Sequence, residues 1–309
     1  MTLFNRNDGT LATDVAPFRR VMQFIMPTRT ESAVYYEQEL DLTRAQKFID
    51  QYNACHARPI TVFHLLMWAT TRALHERPRM NRFVVGKRVY QRHGVWISYA
   101  AKKKLADGSP LVVLKRQFDP AWSFQHLVDF IHGDVKVGRS DQLTHMDKEF
   151  NLLLKLPGLL LSLGLMIVKW LDAMNLLPAS FIRGDTQYAS LFVANLGSVK
   201  LESAFHHLFE YGNCPLFAAL GHTKRVVAVD DDGAFTSKLV CSVKYTFDER
   251  IEDGLYCAQS LELVRKMVED PTAYGASAAA EPVVEVVEAG APVAEPAAQP
   301  VEATSPAAA

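Results

Sequence analysis

Hydrophobic and polar positions along the chain switch between two periods, and the switches divide it into elements. Residues 33–40 are rich in Val and Tyr and predict a strand. Asp41-Leu42-Thr43 then offers a helix cap, after which Ala45, Phe48, Ile49 and Tyr52 recur at helical spacing. A second helix is predicted from near Thr61 to His75. Phe63, Leu65, Leu66, Met67 and Trp68 make it apolar around most of its circumference, as a buried helix is, and Arg77-Pro78 ends it. Residues 83–90 read as a hairpin turning at Gly86 and Lys87. Strands follow at 95–101 and 111–114, separated by a turn at 106–110, and helices at 121–137 and 145–155. Strand-like runs return at 188–194, 216–220, 226–229 and 238–247, with Gly221-His222-Thr223-Lys224 as a turn. Residues 254–268 close the series as an amphipathic helix through Leu255, Ala258, Leu261, Leu263, Val264 and Met267.

Strands interleaved with helices across long gaps predict one α/β domain on a mixed sheet. Residues 1–30, interrupted by Pro17 and Pro27, read as irregular, with residues 1–20 as an N-terminal arm and 21–273 as the folded core. Residues 274–309 collapse to Ala, Pro, Val and Glu, which cannot bury enough surface to order themselves, and predict a disordered tail. The alternative is a tether whose Val283-Val284-Glu285-Val286-Val287 orders on a partner.

The most apolar stretch is 151–172. From Leu156 to Val168 it runs 13 residues without a charge, short of the roughly 20 that a bilayer crossing needs, and Pro157, Gly158 and Gly164 interrupt it. Three roles fit: a core or subunit-interface helix, a membrane-surface contact, or a cap over an acyl-chain channel.

Composition narrows the classes. Hydrophobic residues make up 49% and charged residues 22% of 309, as in a soluble globular protein. Beyond Pro271 the charges are five Glu with no Lys or Arg; removing those five negative charges from a net charge of −1 leaves about +4 on the rest. That mild positive balance suits a phosphorylated small molecule and argues against a nucleic-acid duplex, which needs a concentrated basic face. Cys55, Cys214, Cys241 and Cys257 form no CxxC pair, so they read as free thiols of a reducing compartment. Residues 1–20 mix Arg6, Asp8 and Asp14 without an apolar core, which is not a secretory signal, so the cytoplasm is expected. His56, His64, His75 and His206-His207 lack metal-ligand spacing, and no Rossmann or P-loop glycine pattern is present, so no metal site is expected.

Phe247-Asp248-Glu249-Arg250-Ile251-Glu252-Asp253-Gly254 resembles the Asp-His-Arg-x-x-Asp-Gly motif of the acyltransferase (E2) core of 2-oxoacid dehydrogenase complexes, whose fold is that of chloramphenicol acetyltransferase. Further segments resemble that core in the same order. They include residues 63–81, Ala106-Asp107-Gly108 with Leu111-Val112-Val113, Leu191-Phe192-Val193-Ala194-Asn195-Leu196-Gly197, residues 216–221, and the helix running to Glu269-Asp270-Pro271. The likeness spans about residues 20–271. It implies a chloramphenicol-acetyltransferase-like two-layer α/β sandwich with a mixed sheet, assembled as a homotrimer. The active channel would lie between subunits and take coenzyme A or an acyl-CoA, a small-molecule thioester. No segment resembles a lipoyl domain, so a stand-alone core is expected.

Two positions depart from the family pattern. Glu249 stands where the catalytic His is expected, and Ala194 where a Ser or Thr would bond the oxyanion. Loss of such a donor costs roughly 3 kcal/mol of transition-state stabilisation. A carboxylate of ordinary pKa near 4.3 is a weaker base than imidazole at neutral pH. Glu249 is therefore the candidate base, with His206 or His207 as an acid–base partner or a group binding an acceptor carboxylate. In a short helix the two imidazoles would point about 100° apart. Packing near a subunit contact is the alternative for them. Ser198 is the nearest hydroxyl to the missing oxyanion donor. The resemblance makes Asp253, through a salt link, and Gly254 and Asn195 structural support. Lys102 and Lys103, within Lys102-Lys103-Lys104, are candidate phosphate contacts for coenzyme A or a solvated edge. The readings left open are an acyltransferase of unknown acceptor, a catalytically inactive scaffold or regulatory relative, and a lipid-surface binding protein.

Overall fold

The computed structural model describes residues 6–102, 111–138, 157–229 and 232–279. The predicted turn at 106–110, the predicted helix at 145–155, Lys103 and the tail beyond residue 279 lie outside them.

Six strands form the main sheet in the order β2-β9-β8-β7-β5-β6, from β2 (Ala33–Asp41), β5 (Val95–Lys102), β6 (Leu111–Phe118), β7 (Leu191–Asn195), β8 (Leu216–Val229) and β9 (Phe235–Asp248). β7 runs parallel to both β5 and β8 while the remaining pairs are antiparallel, so the sheet is mixed as expected. The runs at 216–220 and 226–229 are one long strand, β8. The stretch 221–224 is a bulge against β9 between Leu220 and Thr223, not a turn.

One face of the sheet is covered by α2 (Thr43–Cys55), α3 (Val62–Glu76), α4 (Phe124–Gly138) and α7 (Gly254–Glu269). α2 buries Ala45, Phe48, Ile49 and Tyr52, the four positions its periodicity selects. α3 buries twelve of its fifteen residues, which explains its all-round apolarity. Its start is fixed by a capping box: Thr61 caps the His64 N–H while His64 Nδ1 accepts from the Thr61 N–H at 3.1 Å. His64 must be neutral to do so. Burial, reinforced by the facing His132, pushes its pKa down to about 3.

The N-terminal region is more ordered than its prolines suggested. Residues 9–11 form β1 (Gly9–Leu11), which joins β4 (Arg88–Arg92) and β3 (Arg82–Val85) in a small second sheet. Pro17 opens α1 (Pro17–Ile25), where its missing N–H costs nothing. Only Gln23 of α1 is buried, and Phe18, Val21, Phe24 and Ile25 face outward. The β3–β4 turn uses Gly86 (φ 57°) and Lys87 (φ 61°). A Cβ at Gly86 would lie 2.7 Å from the carbonyl of Ala173, so only glycine lets α5 (Gly158–Ala173) end there. α5 is followed by α6 (Ala179–Gly184). Among its described residues α5 buries only Asp172, leaving Leu159, Leu160, Leu163, Leu165, Met166, Ile167 and Trp170 exposed. It is thus not a core helix of the protomer. Among the described residues no helix is long and apolar enough to cross a membrane.

Candidate functional site

Among the described residues, the second face of the main sheet carries no helical layer like that of the first. Alternation along each strand brings Trp96 and Ala100 of β5, Val113 of β6, Phe192 and Ala194 of β7, and Phe217 and Ala219 of β8 to this face. The segment 200–215 lies across them without helical structure. It brings His206 flat onto Phe217, with centroids 4.0 Å apart and planes 3° apart. Phe217 stacks in turn on Phe192, and His207 on His206 at 4.6 Å. The helix assumed for the two histidines is absent. In place of diverging by 100° the rings form one column, His207 on His206 and His206 on Phe217. His206 Nδ1 lies 2.7 Å from the His207 carbonyl and His207 Nδ1 3.2 Å from that of Leu208. A carbonyl only accepts, so each Nδ1 carries the proton and, in the neutral ring, Nε2 keeps its lone pair.

This column is tied to the end of β9, where Thr246 donates to the His206 carbonyl at 2.5 Å. Two residues on, Asp248 and Arg250 form a buried two-pronged ion pair at 2.8 and 2.7 Å, with side chains 0% and 4% exposed. Arg250 also donates to the Met26 carbonyl at 2.9 Å. Glu249 stands between them, its N–H bonded to Ser32 O at 3.0 Å and its own carbonyl accepting from Arg19 at 2.6 Å. Its half-buried carboxylate makes no hydrogen bond or ion pair among the described residues, since Arg250 is fully engaged by Asp248 and Met26. Glu249 lies in the turn that follows β9, three residues beyond the Thr246 anchor of His206.

The other predicted residues divide. Asp253 caps α7, accepting from the Tyr256 N–H at 2.8 Å, and this bond holds its carboxyl below the usual range. Among the described residues it makes no ion pair, and the support it gives there is a helix cap. Gly254 follows as the first helical residue, with open space where a Cβ would stand. Asn195 caps a short 3₁₀ turn over Leu196–Val199 through its bond from Ser198 N, and Ser198 Oγ donates to the Asn195 carbonyl at 2.7 Å. That bond uses the hydroxyl's single proton. Lys102 ends β5, and its side chain, like all of Lys103, lies outside the described residues. Three of the thiols are buried and Cys55 is exposed; all are free. Among the described residues no group of three or more potential ligands could hold a metal.

A buried polar cluster on this side escaped the sequence reading. Arg6 bonds Asp8 at 2.9 Å and Asp172 at 2.7 Å, and Arg92 bonds Asn213 at 2.7 Å. Burial favours the neutral acid at Asp8, but Arg6 and Arg92 outweigh it and hold the carboxyl below its usual range. These residues come from widely separated segments and share no spacing. The Asp248–Arg250 pair did carry a signal, the Asp-x-Arg inside the motif.

No family model and no curated protein matches the sequence. Solved structures do. A probable dihydrolipoamide acetyltransferase from Listeria monocytogenes 4b F2365 is 15% identical, with a TM-score of 0.53 over 84% of this chain and 94% of that one. The cubic core of a pyruvate dehydrogenase multienzyme complex is 18% identical, with a TM-score of 0.53 over 85% and 93%. A chloramphenicol acetyltransferase is 13% identical, with a TM-score of 0.52 over 84% and 97%. At such identities the likeness establishes the fold: a chloramphenicol-acetyltransferase-like α/β sandwich on a mixed sheet, shared with E2 catalytic cores.

Proposed function

We propose that this protein transfers an acyl group from a small-molecule thioester, coenzyme A or a relative, to an acceptor nucleophile, with Glu249 as general base. The observation that carries the reading is the uncommitted carboxylate of Glu249. It sits at the end of β9, where the resemblance expects the catalytic base, while the neighbouring Arg250 is bound to Asp248. In the reaction Glu249 takes the acceptor's proton as the nucleophile attacks the thioester carbonyl. The tetrahedral intermediate then collapses, the C–S bond breaks, and the thiolate recovers a proton from Glu249. His206 and His207, each with Nε2 able to accept a proton, assist from a neighbouring copy or bind an acceptor carboxylate. The assembly is a cytoplasmic homotrimer in which the outward apolar residues of α1 and α5 meet other copies. Lys102 and Lys103 attract the phosphates of the donor.

One observation favours a second reading, a catalytically silent scaffold. Ala194 presents a methyl group where an oxyanion donor is expected, and Ser198 spends its proton on Asn195. Thiol release from a panel of acyl-CoA donors separates the two. The active reading expects slow, saturable release that falls by about 10² or more in Glu249→Ala, as for loss of a general base, with a smaller fall in His207→Ala. Saturable acyl-CoA binding without turnover for any donor supports the scaffold. Equal turnover in wild type and Glu249→Ala removes Glu249 from the mechanism.

A further inference from the structure

Away from Glu249, a cavity of about 290 Å³ opens between the N-terminal segment, the end of β4, the start of β5, β6 and α6. Arg92 and Lys115 are buried in its wall, and His93, Gln117 and Arg183 stand exposed at its mouth. The Arg92 side chain is 1% exposed. Its Nη2 donates to Asn213, but its buried Nε and Nη1 groups have no hydrogen-bond acceptor. Asp8 is 3.6 Å from Nη1, an ion-pair distance too long for a hydrogen bond, and its oxygens already accept from Arg6 and Asn213. Lys115 Nζ donates to the carbonyls of Ile182 at 2.6 Å and Asp185 at 3.0 Å, both uncharged, and lies 5.2 Å from the centre of the Trp96 ring. The Asp185 carboxylate is turned to Gln187 and Tyr211.

Three cations therefore line the cavity against one carboxylate, Asp8, which Arg92 shares with Arg6. Two of them, Arg92 and Lys115, are buried with less than a full counter-charge each, which is costly, and the unpaired guanidinium N–H groups of Arg92 add to that cost. An oxyanion removes both penalties. The planar fork of Arg92 suits two oxygens, the ammonium of Lys115 supplies a point charge, and Trp96 and Tyr188 give an apolar wall for a small organic body. We infer that this cavity binds a small organic oxyanion whose carboxylate or phosphate group sits between Arg92 and Lys115, with Arg183 guarding the entrance.

The site predicts its own pH dependence. Burial, then Arg92, pushes the pKa of Lys115 down to about 7, while Asp185, Asp8 and Cys214 act the other way. His93, Arg183 and Tyr188 are the remaining titratable or charged groups around the cavity. A bound anion favours the charged ammonium. Binding above pH 7 is therefore accompanied by proton uptake, and affinity falls by up to about tenfold per pH unit. Calorimetric titration of the full chain with inorganic phosphate and, separately, with benzoate tests this at about pH 6 and about pH 8.5, in buffers of different ionisation heat. Saturable binding of either probe is expected, and the probe that binds distinguishes phosphate from carboxylate recognition. Proton uptake at the higher pH is read directly with benzoate, and with phosphate after subtracting the ionisation of the probe itself, which also titrates between the two pH values. Lys115→Met should weaken it by about tenfold or more, the worth of one charge-assisted contact. Arg183→Ala, on the exposed rim, should weaken it severalfold without altering the melting temperature, and stands in if Lys115→Met does not fold. No saturable heat with either probe, or a dissociation constant unchanged by Arg183→Ala and by pH, overturns the assignment.

Discussion

Replacing Arg250 by methionine tests the ion pair that frames the candidate base. The side chains of Asp248 and Arg250 are 0% and 4% exposed, and the guanidinium supplies both Asp248 oxygens and the Met26 carbonyl. Arg250→Met leaves the Asp248 carboxylate buried with the Arg250 backbone N–H, at 3.1 Å, as its nearest remaining donor in the loop. Removing one partner of such a pair costs about 3–5 kcal/mol. For a domain of this size each kcal/mol lowers the melting temperature by roughly 2–4 °C, so a fall of about 6–20 °C is expected. Urea titration followed by circular dichroism gives the free energy directly. The double variant Asp248→Asn/Arg250→Met should be less destabilised than the two single changes summed, because the two residues bond each other directly and the interaction is lost only once. Glu249→Gln, which breaks no bond within the protomer, should stay within about 0.5 kcal/mol of wild type. An Arg250→Met protein within about 1 kcal/mol of wild type would refute the claim that this pair, and not Glu249, carries the structural load of the motif.

Three further outcomes are expected. The folded-state pKa of His64 lies below its unfolded value, so the unfolded chain takes up a proton first as pH falls; stability should decline from about pH 6.5 toward about pH 3 by up to about 1.4 kcal/mol per unit, and His64→Gln should flatten that decline in urea midpoints measured across the range. Asp253→Ala should cost about 1 kcal/mol at neutral pH through loss of the α7 cap. Because the Asp253 carboxyl is held below its unfolded value, that contribution is present above about pH 4 and lost as pH falls through the depressed folded value, so the variant and wild type should converge in acid. Leu165→Glu, on the exposed face of α5, should shift the native mass toward monomer by light scattering; an unchanged mass would mean that no second copy covers this helix, and liposome flotation would then test a lipid surface in its place.

Local information suffices where an element rests on a few contiguous residues. The four buried positions of α2, the all-round burial of α3 and the Gly86-Lys87 turn were legible because each rests on a period or a backbone preference confined to a few residues. Pro17 predicts a break in the chain, yet at the first position of α1 it favours the helix. β8 was split in two because Gly221 and its neighbours look like a turn, and only pairing with β9 turns them into a bulge. At the site, Glu249 and Ala194 were visible as departures from a motif, but the motif does not say which partner each side chain takes.

That division has a physical cause. Hydrophobic period, turn chemistry and the order of motifs are properties of contiguous residues, so the chain alone determined most strands of the main sheet, the helices α2, α3, α4 and α7, and the acyltransferase-like fold. Which charge meets which is settled by segments far apart in sequence. Tertiary packing alone laid His206 onto Phe217 with His207 against His206, joined Arg6 and Asp8 to Asp172 across the chain, and set Asp8, Arg92 and Lys115 around one cavity. Electrostatic and stacking energies depend on separation in space, and no interval along the chain encodes that separation.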